Sequence, residues 1–569
     1  MSLKLKTRAA LIAVVALGAC AKGGGVAIAP VVGLSDNRPE GRRYVDYLIS
    51  DGGLEEISLD IQKRSSAAGA GAPLSFLGQL SFDPYNAPVL NDSPVRRELR
   101  SLTSCLIDAW PGPKPEVNII VNSGLAPSGQ ALPNEISINL GLIAAEDVSG
   151  GEVAFVLAHE LAHVLLDHYE RAEFLNQQKE IAEHMAQAAT LAVYASELRA
   201  RRSSSGGFEF FVKDEGQVAE AAVYTLAAYS ASQIVADGII ESSWSRTQEF
   251  ESDRLALDLM QNAGLSDQFG YQALRRIAAF QAGQKGRLDR LDDAAGKQME
   301  AAVATGDANM IIRAGADVFT KAAVSAVLDV YDEINSTHPT AEEREGEIDG
   351  YLEEFEDGPR PEALTACNFD RLDRAMGARR VRNVYNAISS AAEVDDLLLN
   401  GDINGARRAA EKGFSAGLRR HPVTRMAAFR VENAAGRPTQ ALAHLEQIRR
   451  SQDTPLAVHT TIAGEYLVRG RYRQASRALD TGEKYFRKDF FYPKRLQLAI
   501  AREDLEDIAR YRAACKATTI EPIQSACDDV LSNREVATKN AVLGGEATPT
   551  GAFGGFLESL QDAASSLTE

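Results

Sequence analysis

Hydrophobic and polar positions divide the chain into a β-rich stretch, a long helical middle and a repetitive helical end. Val117-Asn118-Ile119-Ile120-Val121 reads as a strand, and Glu135-Ile136-Ser137-Ile138-Asn139-Leu140 alternates apolar and polar residues as a half-buried strand does. Helical periodicity then runs nearly unbroken over 152–198, until Arg201-Arg202-Ser203-Ser204-Ser205-Gly206-Gly207 interrupts it; a loop or mobile lid is expected there. Residues 218–240 are apolar and of membrane-spanning length. Glu220, Gln233 and Asp237 would be costly in hydrocarbon, so a buried soluble helix is expected.

Beyond about residue 380 the pattern repeats. Gly401, Gly436 and Gly470 each precede an alanine by five residues, Ala406, Ala441 and Ala475, at intervals of 35 and 34, and Ala509 continues the series at 34. This is the tetratricopeptide period, in which the glycine turns the chain between two helices and the alanine lets them approach closely. The unit at 504–509 lacks the glycine and reads as degenerate. The tail after about 532 is rich in Gly, Ala, Ser and Thr and is expected to be flexible, with one short amphipathic segment near 556–560.

At 569 residues the chain is too long for one core and calls for two to four domains. Its formal charge of −18 argues against nucleic acid or an anionic membrane surface as an electrostatic partner. Lys4, Lys6 and Arg8, the apolar run 9–16 and Leu17-Gly18-Ala19-Cys20 together resemble a bacterial lipoprotein signal. Cys20 would then be acylated and become the mature N-terminus; an ordinary secretory signal with an incidental cysteine is the other reading. Ala21, rather than aspartate, resembles lipoproteins sent on to the outer membrane. Cys105, Cys367, Cys515 and Cys527 remain, and an exported chain can pair them. A bridge between Cys515 and Cys527 and buried free thiols both stay open, and none of the four has zinc-ligand spacing.

The densest chemistry is Ala158-His159-Glu160-Leu161-Ala162-His163-Val164. Two histidines four residues apart on a helix reach one metal, and the glutamate between them points at the metal-bound water. A catalytic zinc needs a third protein ligand, and Glu249-Phe250-Glu251-Ser252-Asp253 offers one, with Glu249 and Asp253 one turn apart. Glu249 would bind the metal and Asp253 would orient a ligand histidine; an exposed charged helix is the alternative. The strand at 135–140, as an edge beside such a cleft, would hold an extended peptide by backbone pairing, or it is merely structural. His338 in Ser336-Thr337-His338-Pro339 reads from its own residues as a loop.

These motifs resemble the HtpX-like and CAAX prenyl endopeptidase-type zinc metallopeptidases, and within them the periplasmic BepA-like proteases that carry tetratricopeptide repeats. The resemblance covers roughly 117–352 plus the repeats, and rests on residues 156–164 with His168 beyond, on Glu249 to Asp253, and on His338-Pro339 with Arg344 following. It implies a mainly α (α+β) protein: a zincin-type domain with a small β-sheet, followed by an α-solenoid. The boundaries expected are a lipoprotein signal at 1–19, anchor and linker at 20–41, a zinc metallopeptidase domain at 42–375, repeats at 376–530 and a flexible tail at 531–569. Glu249 rather than Glu251 inherits the third-ligand role. His338 matches a histidine near the zinc, implicated in transition-state stabilisation or in latency through a plug. The chain departs from the family in a long irregular stretch at 264–330 and in lacking extra membrane spans.

The expected reaction is zinc-assisted peptide hydrolysis, with one zinc held by His159, His163 and Glu249, Glu160 as general base, and His338 assisting. The expected setting is the outer membrane of a Gram-negative bacterium, facing the periplasm, with attachment through Cys20. Expected partners are unfolded or stalled envelope proteins, and outer-membrane assembly machinery docked on the repeats. A chaperone or assembly adaptor with a latent zinc site is the rival reading. A peptidase that processes one defined lipoprotein or envelope protein is a third.

Overall fold

The computed structural model describes residues 38, 41–50, 85–168, 198–202, 208–212, 246–305, 339–355 and 362–531, apart from short gaps inside these ranges. The expected signal at 1–19, Cys20, the linker to residue 37, the apolar stretch 218–240, His338 and the tail beyond 531 lie outside the described residues.

Helix α1 (Tyr44–Ser50) and helix α2 (Pro94–Ala109) precede the strands β1 (Asn118–Asn122), β2 (Gly129–Leu132) and β3 (Glu135–Asn139). The sheet order is β1-β3-β2, with β1 parallel and β2 antiparallel to β3. The strand at 135–140 is therefore central and cannot be the edge that receives a peptide. Of its two readings the structural one therefore holds; among the described residues β2 is an outer strand of this sheet, and its four residues Gly-Gln-Ala-Leu carry no β-branched side chain and no alternation long enough to read. Ser137, at a position that reads as solvent-facing, is buried and accepts a hydrogen bond from Asn122 Nδ2 at 3.0 Å.

A short helix α3 (Leu140–Ala144) leads to α4 (Gly150–Leu165), the helix that carries both histidines. Ser149 starts it with a capping box: its Oγ accepts the Glu152 N–H at 3.2 Å, and Glu152 Oε1 accepts the Ser149 N–H at 3.1 Å. Every residue of α4 is buried, which explains its nearly continuous apolar character. The helix ends at Leu165, and residues 169–197 of the helical stretch expected to 198 lie outside the described residues. Strands β4 (Leu198–Arg202) and β5 (Phe208–Val212) pair antiparallel where the break was expected, so Arg201 and Arg202 belong to a strand; 203–207 lie outside the described residues.

Helix α5 (Arg246–Asn262) packs along α4, and α6 (Gln268–Thr305) crosses it. The segment expected to be irregular thus holds a helix of 38 residues. Helix α7 (Ala341–Glu353) covers α5 and α6, and α8 (Asp370–Met376) packs on α2 and the start of α4, where Asp373 Oδ1 accepts the Gly150 N–H at 2.6 Å. Two disulfides are formed, Cys105–Cys367 and Cys515–Cys527, so the free-thiol reading does not hold. The first ties α2 to the chain ahead of α8.

Four helical hairpins follow: α9 (Arg379–Leu399) with α10 (Ile403–Gly413), α11 (Pro422–Ala434) with α12 (Pro438–Glu446), α13 (Leu456–Val468) with α14 (Tyr472–Gly482), and α15 (Tyr492–Ala501) with α16 (Leu505–Ala517). The hydrophobic core runs without a break from Tyr44 through α4 and α5 to Val431 in α11, across the boundary expected at 375/376. Among the described residues no helix is long and apolar enough to cross a membrane.

Each hairpin turns through one residue in the left-handed region: Gly401, Gly436, Gly470 and Glu503, with φ of 75°, 68°, 65° and 57°. The two hydrogen bonds of a Schellman turn recur at all four, as in Gly436 N–H to Asn433 O at 2.9 Å and Arg437 N–H to Glu432 O at 2.8 Å. The fourth unit is therefore in register at Glu503, one residue before the expected Asp504. The residue five further on, Ile508, is buried like Ala406, Ala441 and Ala475, whereas Ala509 is exposed. A glutamate in this conformation costs about 1 kcal/mol. Glu503→Gly should relieve it and slow amide exchange across α15 and α16 by up to about fivefold.

Candidate metal centre

Helix α4 turns His159 and His163 towards α5, which presents Glu249 in its first turn. The two Nε2 atoms lie 3.0 Å apart, His159 Nε2 is 3.4 Å from Glu249 Oε2, and His163 Nε2 is 3.6 Å from Glu249 Oε1. A tetrahedral zinc with bonds of about 2.0–2.1 Å separates its ligand atoms by about 3.3 Å. The three donors thus fit one zinc ion, and their mixture of two imidazoles and a carboxylate suits that metal.

The acidic motif is not an exposed charged helix. Glu249, Glu251, Ser252 and Asp253 are all buried. Asp253 Oδ1 lies 2.9 Å from His159 Nδ1, which donates to it, so Nε2, facing Glu249, is the nitrogen that would take a metal. Arg344, from the first turn of α7, grips the same carboxylate with both arms of its fork: Nη2 to Oδ1 at 2.6 Å and Nε to Oδ2 at 2.8 Å. Its Nη1 reaches Glu249 Oε2 at 3.2 Å. Burial pushes Asp253 up, but Arg344 and the His159 hydrogen bond outweigh it and hold the group at about 2. Glu249 is also held below its usual range, with the Arg344 charge overcoming burial.

For His159, burial and the Arg344 charge push downward, yet the hydrogen bonds to Asp253 and Glu249 prevail and hold it up at about 9. Zinc can take the Nε2 lone pair only once that proton leaves. Zinc uptake at pH 7.5 should therefore release about one proton, with the release fading as pH rises through about 9. Calorimetric titration in two buffers of different ionisation enthalpy measures it.

Glu160 faces the same cleft from α4. Burial raises it to about 7, against the opposing His159 charge, and the Ala131 N–H hydrogen-bonds to it. Its Oε2 is buried and has no hydrogen-bond partner among the described residues. A Cβ on Gly129 would stand 2.9 Å from Glu160 Cγ, so glycine at the start of β2 lets the strand close on the base. Gln130, Phe155, Ile277, Gln281 and Arg344 complete the cleft wall.

Behind His163 a second buried group converges. His163 Nδ1 lies 2.8 Å from His168 Nδ1 and 3.2 Å from Ser252 Oγ, and His168 Nε2 lies 3.2 Å from Glu251 Oε2.

Residues 97–351 match Peptidase family M48. The match contains the three metal-binding candidates, Glu160, Asp253 and Arg344, and it supports a zinc metalloprotease of the M48 type. No curated protein matches the chain. The structure places His159, Glu160, His163, Glu249 and Asp253 in one cluster, while His338 and Cys20 lie outside the described residues. Arg344, His168 and Ser252 carry no role that spacing along the chain reveals. Arg344 had no local signal, since its partner Asp253 is 91 residues away.

Proposed function

We propose that this chain is a zinc-dependent endopeptidase held at the periplasmic side of a bacterial outer membrane by a lipid on Cys20. Its four hairpins, read as tetratricopeptide repeats, would dock unfolded or stalled outer-membrane proteins, or the machinery that assembles them, and the cleft would cut those that stall. The observation that carries the peptidase reading is the convergence of His159, His163 and Glu249 with Glu160 in one cleft beside an edge strand.

The Asn139 N–H donates to Ser128 O, so alternation along the antiparallel pair turns the backbone groups of Gly129 and Ala131 outward. Glu160 takes the Ala131 N–H, leaving Gly129 and the Ala131 carbonyl to pair with an extended peptide regardless of its sequence. Zinc, when bound by His159, His163 and Glu249, would acidify a water and polarise the scissile carbonyl. Glu160, with its buried Oε2 open to the cleft, would take a proton from the attacking water and give it to the leaving amine. Asp253 holds His159 in the tautomer that offers Nε2, and Arg344 balances Asp253 and Glu249.

The test is incubation of the full chain, in detergent, with an unfolded outer-membrane β-barrel protein. Many fragments should form, vanish with a zinc chelator and return with added zinc. Zinc bound without cleavage would favour the adaptor reading, and one discrete cut would favour a processing peptidase.

A further inference from the structure

Resting on the metallopeptidase reading, we infer that His168 and Glu251 are positioning residues that fix the orientation and tautomer of His163 and so set how tightly the metal is held. His163 directs Nε2 at His159 and Glu249, so as a ligand it carries its proton on Nδ1. That N–H points at His168 Nδ1, 2.8 Å away, with Ser252 Oγ at 3.2 Å as a further partner. His168 accepts at Nδ1, which puts its own proton on Nε2, where it is donated to Glu251 Oε2 at 3.2 Å. The hydrogen bonds thus run one way, from ligand imidazole to imidazole to carboxylate. His163, His168, Glu251 and Ser252 are each at most 1 % exposed, so water does not compete for these bonds.

The two ligand histidines are supported differently. Asp253 meets His159 directly and is gripped by Arg344, whereas Glu251 acts on His163 through an intervening ring. A ring that accepts the ligand's N–H while donating to a carboxylate makes the ligand nitrogen a better donor to metal. All four groups come from two segments, the end of α4 with His168 beyond it and the first turns of α5. Glu251 and Glu249 are two residues apart on α5, so one helix supplies a ligand to the metal and the terminus of the support chain.

The experiment measures zinc affinity of the full chain by chelator competition, together with the visible spectrum after cobalt substitution. The isosteric Glu251→Gln should weaken zinc about tenfold and shift the cobalt bands while leaving the far-UV circular dichroism unchanged. His168→Phe, which cannot accept the His163 N–H, should weaken it more, and His168→Asn, whose amide oxygen can accept it, should recover part of the loss. Wild-type affinity and cobalt bands in Glu251→Gln would overturn the inference, even if His168→Phe proved misfolded. Equal loss in His168→Asn and His168→Phe would also overturn it. Failure of the wild-type chain to hold zinc would sink the metallopeptidase reading itself, and this is distinguishable because no variant is then compared.

Discussion

Glu160→Gln should leave zinc bound at one per chain and lower peptide hydrolysis by about 10²–10⁴-fold, the range expected when a positioned general base is removed. The amide keeps the size of the side chain and can still take the Ala131 N–H, so β2 and the cleft wall should stay in place. It cannot accept the proton from water, nor return one to the leaving amine. Steady-state cleavage of a quenched peptide, beside zinc content from the same samples, separates this from loss of metal. Near-wild-type turnover would remove Glu160 from the mechanism.

Arg344→Met is the corresponding test of what holds the centre together, with an expected loss of about 3–5 kcal/mol, the usual cost of stranding a buried charge. Without the guanidinium, Asp253 and Glu249 face each other with one cation fewer, both buried and both held low partly by that cation. Asp253 sits near 2 against an ordinary 3.8, so its share of stability is present above about 4 and fades as pH falls towards 2. In the variant that advantage shrinks, and unfolding by acid should begin at higher pH. Arg344→Lys keeps charge but not the fork, and should recover only part of the loss. Amide exchange in α4 and α5 reads the effect, and unchanged exchange in Arg344→Met would show that the ion-pair network does not stabilise the core.

What could be read along the chain was what short-range periodicity encodes. Four-residue spacing put His159 and His163 on one face, and the same spacing joined Glu249 to Asp253. A short apolar run marked β1 and alternation marked β3, but β2 is too short and too plain to alternate, so nothing along the chain showed that β3 is central. Long-range partners leave no local trace: Cys105 and Cys367 are 262 residues apart, and Arg344 meets Asp253 only after α7 folds onto α5. The repeat register slipped by one at Glu503 because a left-handed turn is advertised by glycine and goes unseen when a glutamate occupies it.

The unbroken core from Tyr44 to Val431 also governs the order in which the molecule can be completed. A polypeptide delivered from its N-terminus presents α4 and its histidines after about a third of its length. Apolar residues of α8 to α11 that belong to the same core arrive much later. Until residue 431 is available that interior remains partly uncovered, and Asp373 is not there to cap the start of α4 until shortly before. Chains truncated ahead of α11 should therefore be caught by chaperones or degraded rather than released as a small working peptidase. The cutting centre matures only together with the hairpins that extend from it.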